Sequence, residues 1–175
     1  MPNRYQDLSL KGGGLHYSSI AASAAHTNTV TAADLDSDAI AANTLQVGDI
    51  VEIIAQGIAT ATNSTDTLTV LLTFAGATIA TTGAVDVADD DIWYIHAFVT
   101  VRTEGASGTM VACGTQALGV EATVTAKPFH LASTAIDTTA ALTVAVNADW
   151  SVANVGNSCR NDVLSVKIHR PASYS

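Results

Sequence analysis

At 175 residues the chain is long enough for one domain with a sizeable core and short for two. Hydrophobic residues make up 48% but aromatics only 5%, and the apolar share is mostly Ala and Val interleaved with Thr, a mixture suited to strands. With 16 acids against 7 Lys and Arg the formal charge is -9, which argues against nucleic acid as a direct partner, and no run nears the ~20 apolar residues of a membrane-spanning helix.

The first stretch is polar. Met1–Lys11 lacks a basic start followed by an apolar run, so synthesis in a cytoplasm is expected. Gly12-Gly13-Gly14 is a flexible break, Ile20–His26 is rich in Ala and Ser, and Asp34, Asp36 and Asp38 make the following stretch acidic. Periodicity is weak throughout. Residues 1–44 are therefore expected to form an extended, weakly structured arm, ordered by contact with something else, with a disordered terminus as the alternative, ahead of a β domain over 45–175.

From Leu45 the pattern becomes β. Val47-Gly48-Asp49 signals a turn before a strand over Ile50–Ile58. Thr67–Phe74 alternates cleanly, with Leu68, Val70, Leu72 and Phe74 on one face. Ala75-Gly76 turns into a short strand over Ala77–Thr81, and an acidic loop, Gly83–Asp91, follows. Ile92–Gln116 then reads as two strands around Glu104-Gly105-Ala106-Ser107-Gly108, a hairpin with a loop of about five residues. On its first strand Trp93, Ile95, Ala97, Val99 and Val101 share an all-apolar face. The opposite face carries Tyr94, His96, Phe98, Thr100 and Arg102, where a water-facing strand would show mostly Thr, Ser, Lys and Glu. That second face points to assembly more than to chemistry.

Beyond the hairpin, Gly119–Ala126 gives a weak strand that Lys127-Pro128 should end. Leu142–Val146 alternates, Asn147-Ala148-Asp149 reads as a turn, Trp150–Ala153 is brief, and Val163–His169 is the last strand, with Leu164, Val166 and Ile168 facing in. About eight strands without an amphipathic helix predict an all-β fold, an antiparallel β-sandwich of the jelly-roll kind.

Candidate chemistry is thin. No two of the five histidines share a metal-binding spacing, and His96, between Tyr94 and Phe98, reads as a packed interface residue more than a catalytic base. Asp86, Asp89, Asp90 and Asp91 could offer oxygens to calcium, but the EF-hand spacing is missing and a solvated acidic turn fits better. Ser107 lies between two strands, which is not the strand-to-helix elbow of a nucleophilic serine. Gly12-Gly13-Gly14 lacks the Lys-Ser/Thr of a phosphate loop, and Asn63-Ser64-Thr65 is read as a chance match to a glycosylation acceptor. Trp93 sits on the apolar face and belongs to the core, whereas Trp150 beside a turn is left open as a sugar platform. Whether Cys113 and Cys159 pair is also left open. No catalytic constellation, metal site or cofactor site can be assembled, so no enzyme activity is expected.

Leu45-Gln-Val-Gly-Asp-Ile-Val-Glu-Ile, Asp66-Thr-Leu-Thr-Val-Leu-Leu-Thr-Phe, Val101-Arg-Thr-Glu-Gly-Ala-Ser-Gly-Thr-Met and Asp137-Thr-Thr-Ala-Ala-Leu-Thr-Val resemble, in strand phrasing, jelly-roll structural proteins of tailed bacteriophages. The nearest likeness is to capsid decoration (cement) proteins and related head or tail-fibre knobs, over roughly Leu45–Arg170. The resemblance implies a homotrimer of the tumour-necrosis-factor type, bound to the major capsid protein on the outside of the virion, bridging neighbouring capsomers and using no cofactor. On that reading Tyr94, His96 and Phe98 form the trimer interface. The mildly basic termini, Arg4 and Lys11 at one end of the chain and Arg160, Lys167 and Arg170 at the other, contact the shell. Two rivals are a receptor-binding fibre knob, recognising host glycans through Trp150 and loops, and an enzyme on a sandwich scaffold, which the missing carboxylate pair or triad argues against. A shell-forming subunit is weaker still, because the chain lacks helical pattern.

Overall fold

The structure, a computed structural model, describes residues 13–63, 65–120 and 124–171. Twelve strands run in chain order: β1 Gly13–Ser18, β2 His26–Thr27, β3 Ala33–Ile40, β4 Ile50–Thr60, β5 Thr67–Phe74, β6 Ala77–Thr81, β7 Val85–Asp86, β8 Asp91–Thr103, β9 Gly108–Gly119, β10 Lys127–Ile136, β11 Leu142–Trp150 and β12 Ser158–His169. They form two antiparallel sheets. Sheet A has the order β1-β12-β4-β8-β9-β10, with β2 also on β12; sheet B has the order β3-β11-β5-β6, with β7 also on β5. Among the described residues there is no helix, hence none long and apolar enough to cross a membrane.

The pairing is that of a jelly roll. Along the framework strands, first pairs with last: β1 with β12, β3 with β11, β4 with β8 and β5 with β6. That long double ribbon wraps so that β12 meets β4 in one sheet and β11 meets β5 in the other, giving the two-sheet roll. The β9–β10 hairpin then widens sheet A by two strands beyond β8.

The core follows from alternation. Trp93, Ile95, Ala97, Val99 and Val101 are all at most 1% exposed, as their shared face required. Val51, Ile53 and Ala55 of β4 and Leu164 and Val166 of β12 lie beside them on sheet A. Leu68, Val70, Leu72 and Phe74 answer from sheet B, with Val144, Val146 and Ala148. Burying each large apolar side chain here contributes about 1.5–3 kcal/mol. Gly57 leaves room for the Trp93 ring: a Cβ on it would lie 1.9 Å from the Arg160 carbonyl and 2.8 Å from that ring. The β8–β9 loop turns through Gly105 at φ +99°, and Ser107 is part of this hairpin loop.

Three expectations need correction. Residues 13–44 are not an arm: β1 pairs with β12, β3 pairs with β11, and Leu35 and Ile40 are in the core. Their periodicity is weak because β3 is an edge strand whose Asp36 and Asp38 point inward at the open side of the sandwich. There the Tyr17 hydroxyl donates to Asp36 Oδ1 (3.2 Å), Asn161 Nδ2 donates to Asp36 Oδ2 (3.0 Å), and His16 Nε2 lies 3.1 Å from Asp38 Oδ2. Burial and the adjoining Asp36 carboxylate push the Tyr17 hydroxyl above its ordinary pKa. Inward charges on an edge strand also discourage stray strand pairing. Residues 1–12 lie outside the described residues, and so does the arm expected over them.

Lys127-Pro128 does not stop a strand but opens β10, which is the edge of sheet A, where a missing N–H on the open side costs no ladder bond. Asn147-Ala148-Asp149 is not a turn either. It continues β11, held by β5 at Leu71, Val70 and Thr69, with the Asn147 amide donating to Asp34. Tertiary pairing overrides turn propensity where both neighbouring strands are present.

Candidate functional site

The outward side of sheet A is assembled from five strands in register. Ile50, Thr100 and Val111 lie in one row; Lys167, Glu52, Phe98, Cys113 and His130 in the next; then Ser165, Ile54, His96 and Thr115; then Val163, Gln56, Tyr94 and Ala117; then Arg160, Ile58 and Ile92. Directly opposed residues of antiparallel strands share a face, so Ile50, Ile54, Ile58 and Ile92 join Tyr94, Phe98, Val111 and Val163 in one apolar field. Phe98 is 36% exposed, and its ring leans on that of His96 with centroids 4.7 Å apart and planes at 43°.

At the middle of this field stands one carboxylate with two imidazoles. His96 Nε2 lies 2.9 Å from Glu52 Oε1, and His169 Nε2 lies 2.7 Å from Oε2. The bonds from His169 and then His96 hold the Glu52 carboxyl below its ordinary pKa, against a smaller opposing push from burial. The three residues come from adjacent strands β12, β4 and β8 but are far apart in sequence. Sequence reasoning singled out His96 but missed Glu52 and did not connect His169 with it. The available signal was a lone acid at an outward position in an Ile-rich strand.

The expected interface residues Tyr94, His96 and Phe98 do share this face. Leu71, on the opposite side of β5 from Leu68, Val70, Leu72 and Phe74, is on the other sheet. Of the five basic residues expected to meet a shell, the three described ones do not form one group. Arg4 and Lys11 lie outside the described residues. Arg160, its Nε 2.8 Å from Asp162 Oδ1, and Lys167 are on the outward side of sheet A, the same face as the aromatic set. Arg170 is a structural clamp: its Nη2 donates to buried Asp49 Oδ2 and to the Thr44 carbonyl, both at 2.7 Å, and its Nε to Asp49 Oδ1 at 3.1 Å. Asp49 is fully buried and in turn raises the Arg170 pKa. This clamp ties the end of β12 to the β3–β4 loop and commits the Arg170 guanidinium to an internal ion pair.

Other candidates fall into place. Trp93 and Trp150 are each 1% exposed, so Trp150 is core and no sugar platform. Cys113 is exposed on β9 and Cys159 buried on β12, both free, and burial pushes the Cys159 thiol up to about 12. Asp91 is buried and closes its own loop, Oδ2 accepting from the Ala88 N–H at 2.9 Å, while Asp86, Asp89 and Asp90 face outward. Among the described residues no three His, Cys, Asp or Glu side chains are grouped to hold a metal ion. Loops at the β8–β9 end border an open hollow of about 340 Å³ lined by Asn43, Leu45, Gln46, Glu104, Thr138 and Thr139.

Compared with protein-family models, curated proteins and solved structures, the chain has no match. The jelly roll and the apolar outward face of sheet A are what its function can be argued from.

Proposed function

We propose that the protein is a structural component of a phage virion: a homotrimer, joined through the outward face of sheet A, that decorates and stabilises the outside of a capsid by bridging neighbouring capsomers. The observation that carries the assembly half of this reading is the apolar field around Phe98, Tyr94 and Ile54. An isolated sandwich gains nothing by presenting that field to water, and a threefold axis along β8 would cover it. The capsid half is supported by the resemblance in strand phrasing. Of the basic residues expected to meet the major capsid protein, Arg4 and Lys11 keep that role in this proposal.

Light scattering on the purified protein, followed by cosedimentation with capsids stripped of accessory proteins, tests it. A trimer that binds shells and raises their melting temperature is expected; a monomer removes the interface, and a trimer that ignores shells removes the decoration role. Deleting residues 1–12 should abolish shell binding and leave the trimer, because β1 starts at Gly13. Retained binding would exclude Arg4 and Lys11. A wider deletion through residue 44 would remove β1 and β3 and so cannot serve.

The receptor-binding knob remains as a second reading. It loses Trp150 to the core, but the polar hollow at Asn43, Gln46, Glu104, Thr138 and Thr139 has the amide, hydroxyl and carboxylate groups that sugars bind. Binding to host cells by a trimer indifferent to shells is its expected result.

A further inference from the structure

The Glu52 cluster is an odd thing to find at the centre of an apolar face. In neutral form each imidazole must carry its proton on Nε2 to donate to Glu52, and both carboxylate oxygens are then engaged. The His96 and His169 side chains are 37% and 41% exposed and that of Glu52 20%, so water reaches all three in a single copy. Coverage by other copies would remove that water.

The surrounding charges are few. Lys167 on β12 is directly opposite Glu52, and Arg160 pairs with Asp162 further along the same strand. Tyr94 and Arg102 are on β8, Cys113 on β9, and His130 on β10, one strand beyond Cys113 in the Phe98 row. The Arg170–Asp49 pair beside His169 is already balanced. Glu52 and Asp162 are the acids on this outward face among the described residues. With neutral imidazoles, Glu52 and Lys167 cancel. Imidazole is the side chain that gains charge between about pH 8 and pH 5.

We infer that this cluster makes association through sheet A pH-dependent: copies join when His96 and His169 are neutral and separate when both are charged. The inference rests on the trimer reading above. A closed ring brings equivalent residues of the copies together around its axis, so each charged imidazole would add like charge to a desolvated seam with no further carboxylate to meet it. Like charges cost far more there than in water.

Sedimentation velocity at about pH 8 and about pH 5, with circular dichroism on the same samples, tests the inference. The expected result is a trimer at the higher pH and association weakened about 100-fold or more at the lower, with the sandwich still folded. The paired variant His96→Gln, His169→Gln should remain trimeric at both. Lys167→Gln, a change confined to an exposed side chain, should move the dissociation midpoint to lower pH by removing one positive charge from each copy. Association equally tight at both values, a paired variant that still separates on acidification, or an unmoved midpoint for Lys167→Gln would each overturn it. A monomer already at about pH 8 would instead overturn the interface reading, and this inference with it.

Discussion

The two outward faces of this sandwich are built on the same period-two rule and differ in everything else. Sheet A presents Ile50, Ile54, Ile58, Ile92, Tyr94, Phe98, Val111 and Val163 around Glu52 and its two imidazoles. Sheet B presents Thr67, Thr69, Thr73, Thr78, Thr81 and Thr143, with Asn147, Asp149 and one large apolar side chain, Leu71. The Ile and Val of one face and the Thr of the other are all β-branched and satisfy strand geometry. The difference between Thr and Ile at equivalent positions is therefore not a demand of the fold. Under the proposed assembly it separates the side that meets water from the side that meets other copies.

The most severe way to break this contrast is Phe98→Asp. Each aromatic covered at the interface contributes about 1.5–3 kcal/mol per protomer, and a carboxylate in its place would be desolvated. Light scattering should show dispersal to monomers, whereas Leu71→Asp on sheet B should leave the assembled mass unchanged. Loss of the trimer in both variants would mean the faces are equivalent.

Arg170→Ala should act on the fold instead of on either face. It strands a fully buried Asp49 carboxylate and should cost about 3–5 kcal/mol in urea unfolding. A stability change near zero, with capsid binding lost, would restore Arg170 as a contact residue. Next in size is Gly57→Ala, which drives a methyl into the Arg160 carbonyl and should cost about 1–3 kcal/mol, again without a separate effect on association.

The pH limbs are opposite in sign. Cys159 stays protonated in the folded chain up to about 12, while the unfolded thiol ionises from 9.0. The unfolded chain therefore releases a proton that the folded one keeps, and stability falls as pH rises across that interval. Cys159→Ala should flatten this alkaline limb of the urea midpoint. Glu52 is shifted the other way. Its contribution is present above the ordinary value of 4.5 and is lost as pH falls through the lower, folded one. Glu52→Gln should remove that part of the acid limb; an unchanged slope would show that the two imidazoles do not stabilise the carboxylate.

Much of the fold was legible because a half-buried strand writes its own orientation. β5, β6 and the inward side of β8 are where alternation put them, and the β8–β9 turn falls at its Gly-rich link. The edge strands β3 and β10 were not legible. β3 carries aspartates inward, β10 opens with Lys127-Pro128 and has few buried side chains, and both look like connections because edges need neither full ladder bonds nor a full apolar face. Within the candidate site, Tyr94, His96 and Phe98 were found by their unusual face. Glu52 and His169 were not connected to them, since residues 44 and 117 positions apart meet only when β4 lies between β8 and β12.

By itself, the order of residues determined the central strands, the side of each of those that faces inward, and the presence of one apolar side too many. Period two is a local property, readable in any eight-residue window. The tertiary structure alone decided that β12 and β8 flank β4. That placement turned Lys167 and Arg160 onto the aromatic face, withdrew Arg170 into a buried clamp, and set two imidazoles on one carboxylate. Strand neighbours in a jelly roll come from opposite ends of the chain, so which side chains share a surface is set by wrapping, which no local pattern encodes.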